Sequence, residues 1–446
     1  MKPKLNVDKL VSRVRDCAVF RNAGHLVSAR GILTATLTAA VGELCYVFTG
    51  HGQPVLAEVV GFSSGLSQLM PLQSTASLTA GATVVGLNRQ MMVPVGPSMQ
   101  GRVIDALGQP IDHAAPLIFE DWIPLQSASP DPMTRRPIAE PFVTGQKCID
   151  GMLTIGAGQR MGLFAGSGVG KSTLLGEIAR HAQSDVNVVV LVGERGREVR
   201  PFIEECLGTR GLERSIVIVS TAEQPPLVRI RSAQTALTIA DWFRQRGKHV
   251  LFMADSLTRL AWSQRELGLS IGEPPSSRGF TPSAIQLLAN LIEQLGTSDR
   301  GMITGILTVL VDGDDTSEPV ADAARSMLDG HIVLDRKLAE KGHFPAIDVL
   351  ASISRVANQV TDAAQQQRVL LMREILGEYR EVEDLIRIGA YQPGTSPVVD
   401  QAVRLKPELD RFLRQASGQS VAWKQTMSMI DTLAARVNSA APLPQS

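Results

Sequence analysis

Runs of branched apolar residues recur through the middle of the chain, between residues 150 and 350, and amphipathic helical stretches separate most of them. Such runs have almost no polar interruption, which is typical of strands buried on both faces of a parallel sheet covered by helices. The pattern therefore predicts an α/β core with a parallel sheet. The predicted strands are 161–165, 186–192, 215–220, 249–255, 303–311 and 331–335.

The pattern is different on either side of this core. From about residue 26 to 95, short β-type runs are punctuated by Gly, Pro, Asn and Ser, which favours a small β-barrel or sandwich. From about residue 369 onward the pattern is helical. We therefore predict a small β domain, a barrel or a sandwich, at 21–95, an α/β core at 96–370 and a C-terminal helical domain at 371–446.

Residues 1–20 are predicted to form an amphipathic helix. Val7, Leu10, Val11 and Val14 fall on one face, with basic residues on the other. This spacing fits a helix that packs on its own domain equally well as one that docks on a partner protein. Both interpretations stay open.

Composition restricts the kind of protein that this is. The 446 residues are 44% apolar, and 44 Lys and Arg are balanced by 44 Asp and Glu. A zero formal net charge excludes a whole-protein basic field for nucleic acid or anionic membrane. The four cysteines lie far apart, the first residues lack a signal peptide's apolar segment, and no run reaches about 18 apolar residues. We expect a soluble cytoplasmic protein.

The strongest local signal is the segment AGSGVGKST, between a predicted strand and a predicted helix. Its three glycines let the backbone curl so that N–H groups face phosphate oxygens, and the helix adds its N-terminal dipole. Lys171 would reach the β- and γ-phosphates, and the Ser172 hydroxyl would ligate Mg²⁺, so ATP and Mg²⁺ are the predicted cofactors. Ala165 replaces the first glycine of the motif, which requires a negative φ there. The predicted nucleotide-binding residues are Ala165, Gly166, Ser167, Gly168, Val169, Gly170, Lys171, Ser172 and Thr173.

Two acidic residues follow other predicted strands. Glu194 ends the apolar run VVLVGE, and Asp255 ends HVLFMAD. Ligands of an open α/β sheet bind at the carboxyl ends of its strands, so Glu194 could polarise an attacking water and Asp255 could hold Mg²⁺. An acid at a strand end can also be a helix N-cap, and for Asp255 this alternative stays open.

A basic residue, Arg355, follows a later strand-like run in LASISRVANQ. Charge that develops on a transferring phosphoryl group is stabilised by a cation beyond the P-loop lysine and the metal. Taken alone, a single arginine is most often a surface residue in a salt bridge.

Together these segments resemble the catalytic subunits of F1/V-type rotary ATPases and, more closely, the ATPases of flagellar and type III protein export. The resemblance runs in family order from about residue 95 to 415 and implies a RecA-like P-loop core between an N-terminal β-barrel and C-terminal helices. The matching segments are GRVIDALGQPID, FAGSGVGKST, GERGREVRPFIEECLG, MADSLTRLAWSQRELGLSIGEPPSSRGFTPS, GDDTSEPVADAARSMLDGHIVLDRKLAEKGHFPAIDVLASISRV and REVEDLIRIGAYQPGTSPVVDQAV.

The resemblance also implies roles for individual residues. Lys171 and Glu194 would be catalytic, Asp255 would be the Walker B acid, and Arg355 would be an arginine finger inserted into a neighbouring subunit's site. Phe344, in KGHFPAID, would lie against the adenine ring, although one Phe in a loop is also compatible with a buried core position. The implied assembly is a ring, a homohexamer.

Three related classes of protein are less compatible with the sequence. A rotary β subunit would read GERTREG and carry an acidic DELSEED loop, where this chain has GERGREV and GAYQPGTSP. A Rho-type RNA-dependent ATPase needs a basic, aromatic groove, but residues 31–88 contain no Lys or Arg, so we expect no nucleic-acid partner. A noncatalytic rotary subunit would lack Glu194. A scaffold that binds ATP without turnover, a protein of another class, would have lost Glu194 or Lys171, and both residues are present.

Flagellar and injectisome ATPases are harder to separate. The segments FAGSGVGKST and GEPPSSRGFTPS favour the flagellar branch, and the injectisome branch is the alternative. In either case the resemblance implies an ATPase that unloads or unfolds export substrates at a membrane gate. Its implied partners are export substrates and chaperones, and a stator or regulator protein at the N-terminal helix, with a peripheral position at the inner membrane.

Overall fold

The computed structural model describes residues 21–50, 53–73, 78–125, 129–311 and 318–438. The predicted helix at 1–20 lies outside these residues. The strands are β1 Ala23–Arg30, β2 Ile32–Ala35, β3 Glu43–Val47, β4 Val55–Ser63, β5 Leu66–Pro71, β6 Thr83–Gln90, β7 Met92–Val95, β8 Val103–Ile104, β9 Asp121–Pro124, β10 Pro141–Phe142, β11 Ile155–Gly156, β12 Arg160–Ala165, β13 Val186–Glu194, β14 Ser215–Thr221, β15 His249–Asp255, β16 Gly296–Thr297, β17 Met302–Leu310, β18 Gly330–Leu334 and β19 Ile347–Ser354.

Helices alternate with the later strands and form the last part of the described chain. Phe202–Leu207 is π-helical, and short 3₁₀ turns occur at Pro97–Met99, Pro132–Thr134 and Ser277–Gly279. The α-helices are Lys147–Met152, Lys171–His181, Gly196–Pro201, Gly208–Glu213, Pro226–Arg244, Leu257–Ser270, Pro282–Gln294, Pro319–Met327, Arg336–Glu340, Ala357–Val360, Ala363–Arg387, Pro397–Leu413 and Trp423–Asn438.

The N-terminal strands close into a barrel in the order β1-β2-β5-β4-β3-β6. Apolar side chains that alternate along these strands fill the barrel, as Cys45 and Val47 do on β3 and Ala57 and Val59 do on β4. Of the two architectures that the sequence favoured, barrel or sandwich, the barrel is the one present. Every strand pair within it is antiparallel.

The central domain is a nine-stranded sheet in the order β19-β18-β12-β17-β15-β13-β14-β8, with β16 paired to β17. Strands β8, β12, β13, β14, β15, β17 and β18 run parallel, whereas β19 is antiparallel to β18. Both faces are buried, because Val188 and Val190 of β13 belong to one hydrophobic core and Val189 and Leu191 to the other. The α/β core predicted from apolar runs is confirmed.

Three long helices complete the C-terminal part, confirming the predicted helical end. The first, Ala363–Arg387, crosses the predicted boundary between residues 370 and 371, so the domain limits themselves stay a prediction. Leu409 and Phe412 of the second helix pack in the same core as Ile149 and Leu174 of the central domain. In the described ranges, no helix is long and apolar enough to cross a bilayer.

Candidate active site

The P-loop connects the end of β12 to the helix Lys171–His181. Ala165 is the last residue of the strand, so its backbone is extended, as an alanine at the motif's first position requires. Gly168 and Gly170 have φ values of +77° and +91°, which side-chain-bearing residues rarely adopt. A Cβ on Gly168 would meet no atom within 4 Å, so backbone conformation and not space demands glycine there. The loop thus has the curled backbone that a phosphate cradle needs.

Strand order brings the acidic residues to the P-loop. Strands β12, β15 and β13 are parallel, and Leu191 of β13 pairs with Asp255 of β15, so their carboxyl ends lie at one edge of the sheet. Lys171 Nζ contacts Oδ1 of Asp255, and the Thr308 hydroxyl of β17 donates to the same oxygen at 2.8 Å. Asp255 is 3% exposed. The structure therefore places the predicted metal-binding acid against the predicted phosphate-binding lysine.

Asp255 is not the N-cap of the helix that follows it. The helix Leu257–Ser270 begins after Ser256, whose hydroxyl accepts a hydrogen bond from the backbone N–H of Arg259. The capping function belongs to the serine, so the carboxylate of Asp255 remains directed to Lys171 and Thr308. The alternative explanation of this acid is thereby removed.

Glu194, at the end of β13, is buried beside Arg259. Arg259 Nη1 lies 3.1 Å from Oε2 of Glu194 and forms an ion pair with it. Burial raises the pKa of Glu194, and the negative charge of Asp255 adds to the rise, while Arg259 and Lys171 oppose it. A carboxylate with a raised pKa at this edge of the sheet is suited to accept a proton from water.

Arg259 is a site residue that the sequence reasoning missed. Its guanidinium also donates to the carbonyl of Gly193, so it fixes both the last peptide of β13 and the carboxylate that follows. The available signal was its position four residues after Asp255, in the first turn of a helix that starts at the same sheet edge.

The donors at this edge fit a hard divalent cation. The Ser172 hydroxyl and the Asp255 carboxylate offer oxygen ligands, which Mg²⁺ prefers, and Mg²⁺ is commonly held by one or two carboxylates together with substrate phosphates. Within the described residues there is no group of three or more His, Cys, Asp and Glu that could hold a metal ion.

A cleft of about 1220 Å³ opens beside the P-loop. Gly170, Thr173 and Phe344 line it, together with the loop that follows the helix Pro397–Leu413. Phe344 is 47% exposed, so it does not occupy the buried core position that was its alternative. A Cβ on Gly170 would lie 3.5 Å from its ring. The ring is therefore available to a planar group that extends from the P-loop.

The sequence reasoning also missed one wall of this cleft, formed by residues of the C-terminal helices and of the loop that joins the last two of them. Tyr379, on the helix Ala363–Arg387, lines it, with Lys406 4.9 Å from its ring centroid. Gln415 connects the wall to the core: its backbone N–H donates to the Phe344 carbonyl at 2.9 Å and its side-chain amide donates to the Gly145 carbonyl at 2.8 Å. These partners are distant in sequence, so no local pattern indicated them.

Arg355 lies at the opposite edge of the sheet. Because β19 is antiparallel to β18, its last residue, Ser354, pairs with Gly330 at the start of β18. The Arg355 backbone N–H donates to Asp329, whose own N–H donates to Arg160, the first residue of β12. The P-loop follows the other end of this six-residue strand, about 17 Å away. Arg355 is exposed and does not join the other predicted catalytic residues.

Comparisons with known proteins agree with this architecture. Residues 145–354 match the ATP synthase alpha/beta family, nucleotide-binding domain, and residues 361–432 match the T3SS EscN ATPase C-terminal domain. The flagellum-specific ATP synthase of Bacillus subtilis is 46% identical, covering 93% of this chain and 94% of the relative. The chain belongs to the flagellar and type III secretion ATPases.

Other members of this ATPase family confirm the fold and represent both branches. The flagellum-specific ATP synthase of Treponema pallidum is 45% identical over 94% of this chain and 95% of its own, and the type 3 secretion system ATPase of Xanthomonas euvesicatoria is 44% identical over 93% and 95%. The assembled ATPase EscN of enteropathogenic E. coli superposes with a TM-score of 0.87 at 38% identity, covering 92% of this chain and 100% of that one. Identity alone does not separate the branches.

Proposed function

We propose that this ATPase energises protein export through a flagellar-type secretion apparatus, where it unloads or unfolds export substrates at the membrane gate. Hydrolysis takes place in a ring of identical subunits, with each site completed by a neighbour. The observation that carries the proposal is the division of the site residues: Lys171, Glu194 and Asp255 meet at one sheet edge, whereas Arg355 lies at the other.

Each residue at the first edge has a role that follows from its position. The P-loop backbone and Lys171 would hold the β- and γ-phosphates, and Ser172 and Asp255 would hold Mg²⁺, which would neutralise charge on those phosphates. Glu194 orients a water and takes its proton, which its raised pKa favours. Phe344 packs against the adenine ring in the cleft.

Arg355 supplies a cation to the neighbouring subunit's site. It lies about a strand length from its own P-loop and is exposed, so its side chain is available to a second copy of the chain. A finger delivered in this way makes hydrolysis dependent on assembly, and we infer a homohexamer. The solved structures of EscN include an assembled ATPase and a complex of that ATPase with its central stalk EscO.

Further partners follow from the proposed export role. Export substrates and their chaperones would reach the ring from the cytoplasm, and residues 1–20 would dock a stator or regulator protein that keeps the ring at the inner membrane. Nucleic acid is not expected as a partner, since residues 31–88 of the barrel region contain no Lys or Arg.

The export function can be tested in the bacterium that carries the gene by replacing the protein with the Glu194→Gln variant. We expect loss of swimming and of secreted filament protein, with the ATPase still present at normal level. Glu204→Gln is the matched control, because Glu204 is an exposed acid paired with Arg200. Normal swimming of the Glu194→Gln strain would contradict the flagellar proposal.

The injectisome branch is the second candidate, because the Xanthomonas type 3 secretion system ATPase is 44% identical over most of the chain. The same strain distinguishes it: normal swimming together with lost secretion of injectisome proteins would assign the enzyme to that branch. Stimulation of the purified ATPase by RNA would instead indicate a nucleic-acid motor.

A further inference from the structure

The helix that begins with Lys171 carries a buried acid, Glu177, which plays no part in the chemistry described above. Glu177 is 4% exposed, and six residues of helix place it roughly 9 Å along the axis from Lys171. It follows the phosphate cradle by more than one turn, so its effect on nucleotide binding must come through other groups.

Those other groups lie in the loop between the last two helices. Oε1 of Glu177 accepts hydrogen bonds from the Ser417 hydroxyl at 2.6 Å and from the Gly418 backbone N–H at 2.7 Å. Arg180 Nη2 donates to the same oxygen at 2.5 Å. One buried carboxylate therefore connects the P-loop helix to a loop 240 residues further along the chain.

This loop is a wall of the cleft next to the P-loop. Ala416, Ser417 and Gln419 line it, as do Gly170 and Phe344. If phosphates occupy the P-loop, as the proposed function requires, the nucleoside extends into this cleft and contacts the wall. Gln415, the second residue of the loop, has its own bonds to Phe344 and Gly145, and the contacts of Glu177 are to the Ser417–Gly418 half.

We propose that Glu177 is a positioning residue for the nucleoside: it holds the Ser417–Gly418 half of the wall at the distance from the P-loop that the base and ribose need. The inference rests on the proposed ATP site and adds a residue through which the C-terminal helical domain affects nucleotide affinity. Hydrogen bonds to a charged acceptor are among the stronger ones in proteins, so their loss should be measurable in binding.

Two magnesium ligands separate this role from a general structural one: ADP, which has a nucleoside, and pyrophosphate, which has only the phosphates. For Glu177→Ala we expect the Kd of Mg-ADP to rise about tenfold, which is about 1.4 kcal/mol. The Kd of Mg-pyrophosphate should change less than twofold, because the P-loop itself is intact. The KM for ATP should rise by a factor similar to the ADP effect, with kcat changed much less.

Ser417→Ala provides a second variant that leaves the Glu177–Arg180 pair in place. We expect a two- to threefold rise in the Kd of Mg-ADP alone, and no added effect of Ser417→Ala in the Glu177→Ala background, since the two residues form one contact. Glu408→Ala is the matched control, because Glu408 pairs with Arg436 between C-terminal helices and should leave both Kd values unchanged.

Equal weakening of ADP and pyrophosphate would overturn the inference, because Glu177 would then act on the P-loop itself. Unchanged ADP binding in Glu177→Ala, or in Ser417→Ala if the former does not fold, would overturn it as well. If the proposed ATP site itself were wrong, the result would be different: the unaltered protein would bind neither Mg-ADP nor Mg-pyrophosphate.

Discussion

Lys171 of the P-loop and Asp255 at the end of β15 form an ion pair, although 84 residues separate them along the chain. Both side chains are largely buried, at 12% and 4% exposure. If either residue is removed, the charge of the other stays buried without a partner, which costs folding free energy. The pair therefore holds both side chains in place. In this arrangement the lysine is held at the sheet edge where phosphates would bind.

Lys171→Ala is expected to weaken nucleotide binding itself, since the lysine contacts phosphates in the ground state as well as during hydrolysis. Loss of a charged hydrogen bond corresponds to roughly a 10- to 100-fold rise in the Kd of Mg-ADP. Isothermal titration calorimetry measures this Kd directly. An unchanged Kd would remove Lys171 from the binding site.

Glu194→Gln should behave in the opposite way. We expect Mg-ATP affinity to be retained and turnover to fall by about 10²–10⁴, because only the proton acceptor is lost. Steady-state ATPase assays with Glu204→Gln as control measure the effect. Retained turnover would move the catalytic role to another residue.

The same variant has a predicted effect on stability. The raised pKa of Glu194 means that its ionisation costs folding free energy, and this cost appears as pH rises through the folded-state pKa. Gln removes the cost, so thermal unfolding at neutral pH should occur at the same or a higher temperature. A clearly lower unfolding temperature would mean that lost activity reflects a damaged fold.

The strands of the central sheet could be predicted from the sequence because they are buried on both faces. Val186–Glu194 and His249–Asp255 are almost continuous apolar runs that end in an acid, so both the strands and the site acids could be predicted. The two-residue strand β8, Val103–Ile104, was not among the predicted strands, since two residues carry no periodicity.

Contacts between side chains that are distant in sequence could not be predicted from apolar runs. The contact of Arg259 with Glu194 depends on the parallel pairing of β13 and β15, and that of Glu177 with Ser417 spans 240 residues. The position of Arg355 at the far sheet edge follows from the antiparallel direction of β19, which an apolar run does not reveal. Composition and spacing report local structure, whereas these contacts depend on topology.

The pH dependence of hydrolysis should reflect the environment of Glu194. Because its pKa is raised and the carboxylate must be ionised to accept a proton, kcat/KM should fall on the acid side at a pH above the ordinary value of 4.5. Arg259 opposes the rise, so Arg259→Gln should move this acid limb to still higher pH. An acid limb that does not move would show that Glu194 is not the group that titrates.

A buried ion pair joins the barrel to the core. Glu58 of β4 is 2% exposed, and Arg231 on the helix Pro226–Arg244 donates to it from Nε at 2.9 Å and from a second guanidinium nitrogen. Arg231→Ala leaves the Glu58 carboxylate buried without its cation and should lower the free energy of unfolding by about 3–5 kcal/mol, measured by urea denaturation. The double variant Glu58→Met with Arg231→Met should recover most of this loss, and equal loss in both would contradict the ion-pair explanation.

The central claim is that each active site is completed by Arg355 of a neighbouring subunit. Alone, Arg355→Ala should bind ATP nearly normally but hydrolyse it roughly 10³–10⁵ times more slowly, and Glu194→Gln should also be nearly inactive. The most direct measurement is the ATPase activity of the two variants mixed and co-assembled. Some interfaces then pair an intact Glu194 with an intact Arg355 from the next subunit, so we predict that activity partly returns. Co-assembled rings with no recovered activity would contradict the shared site and place the action of Arg355 within its own subunit.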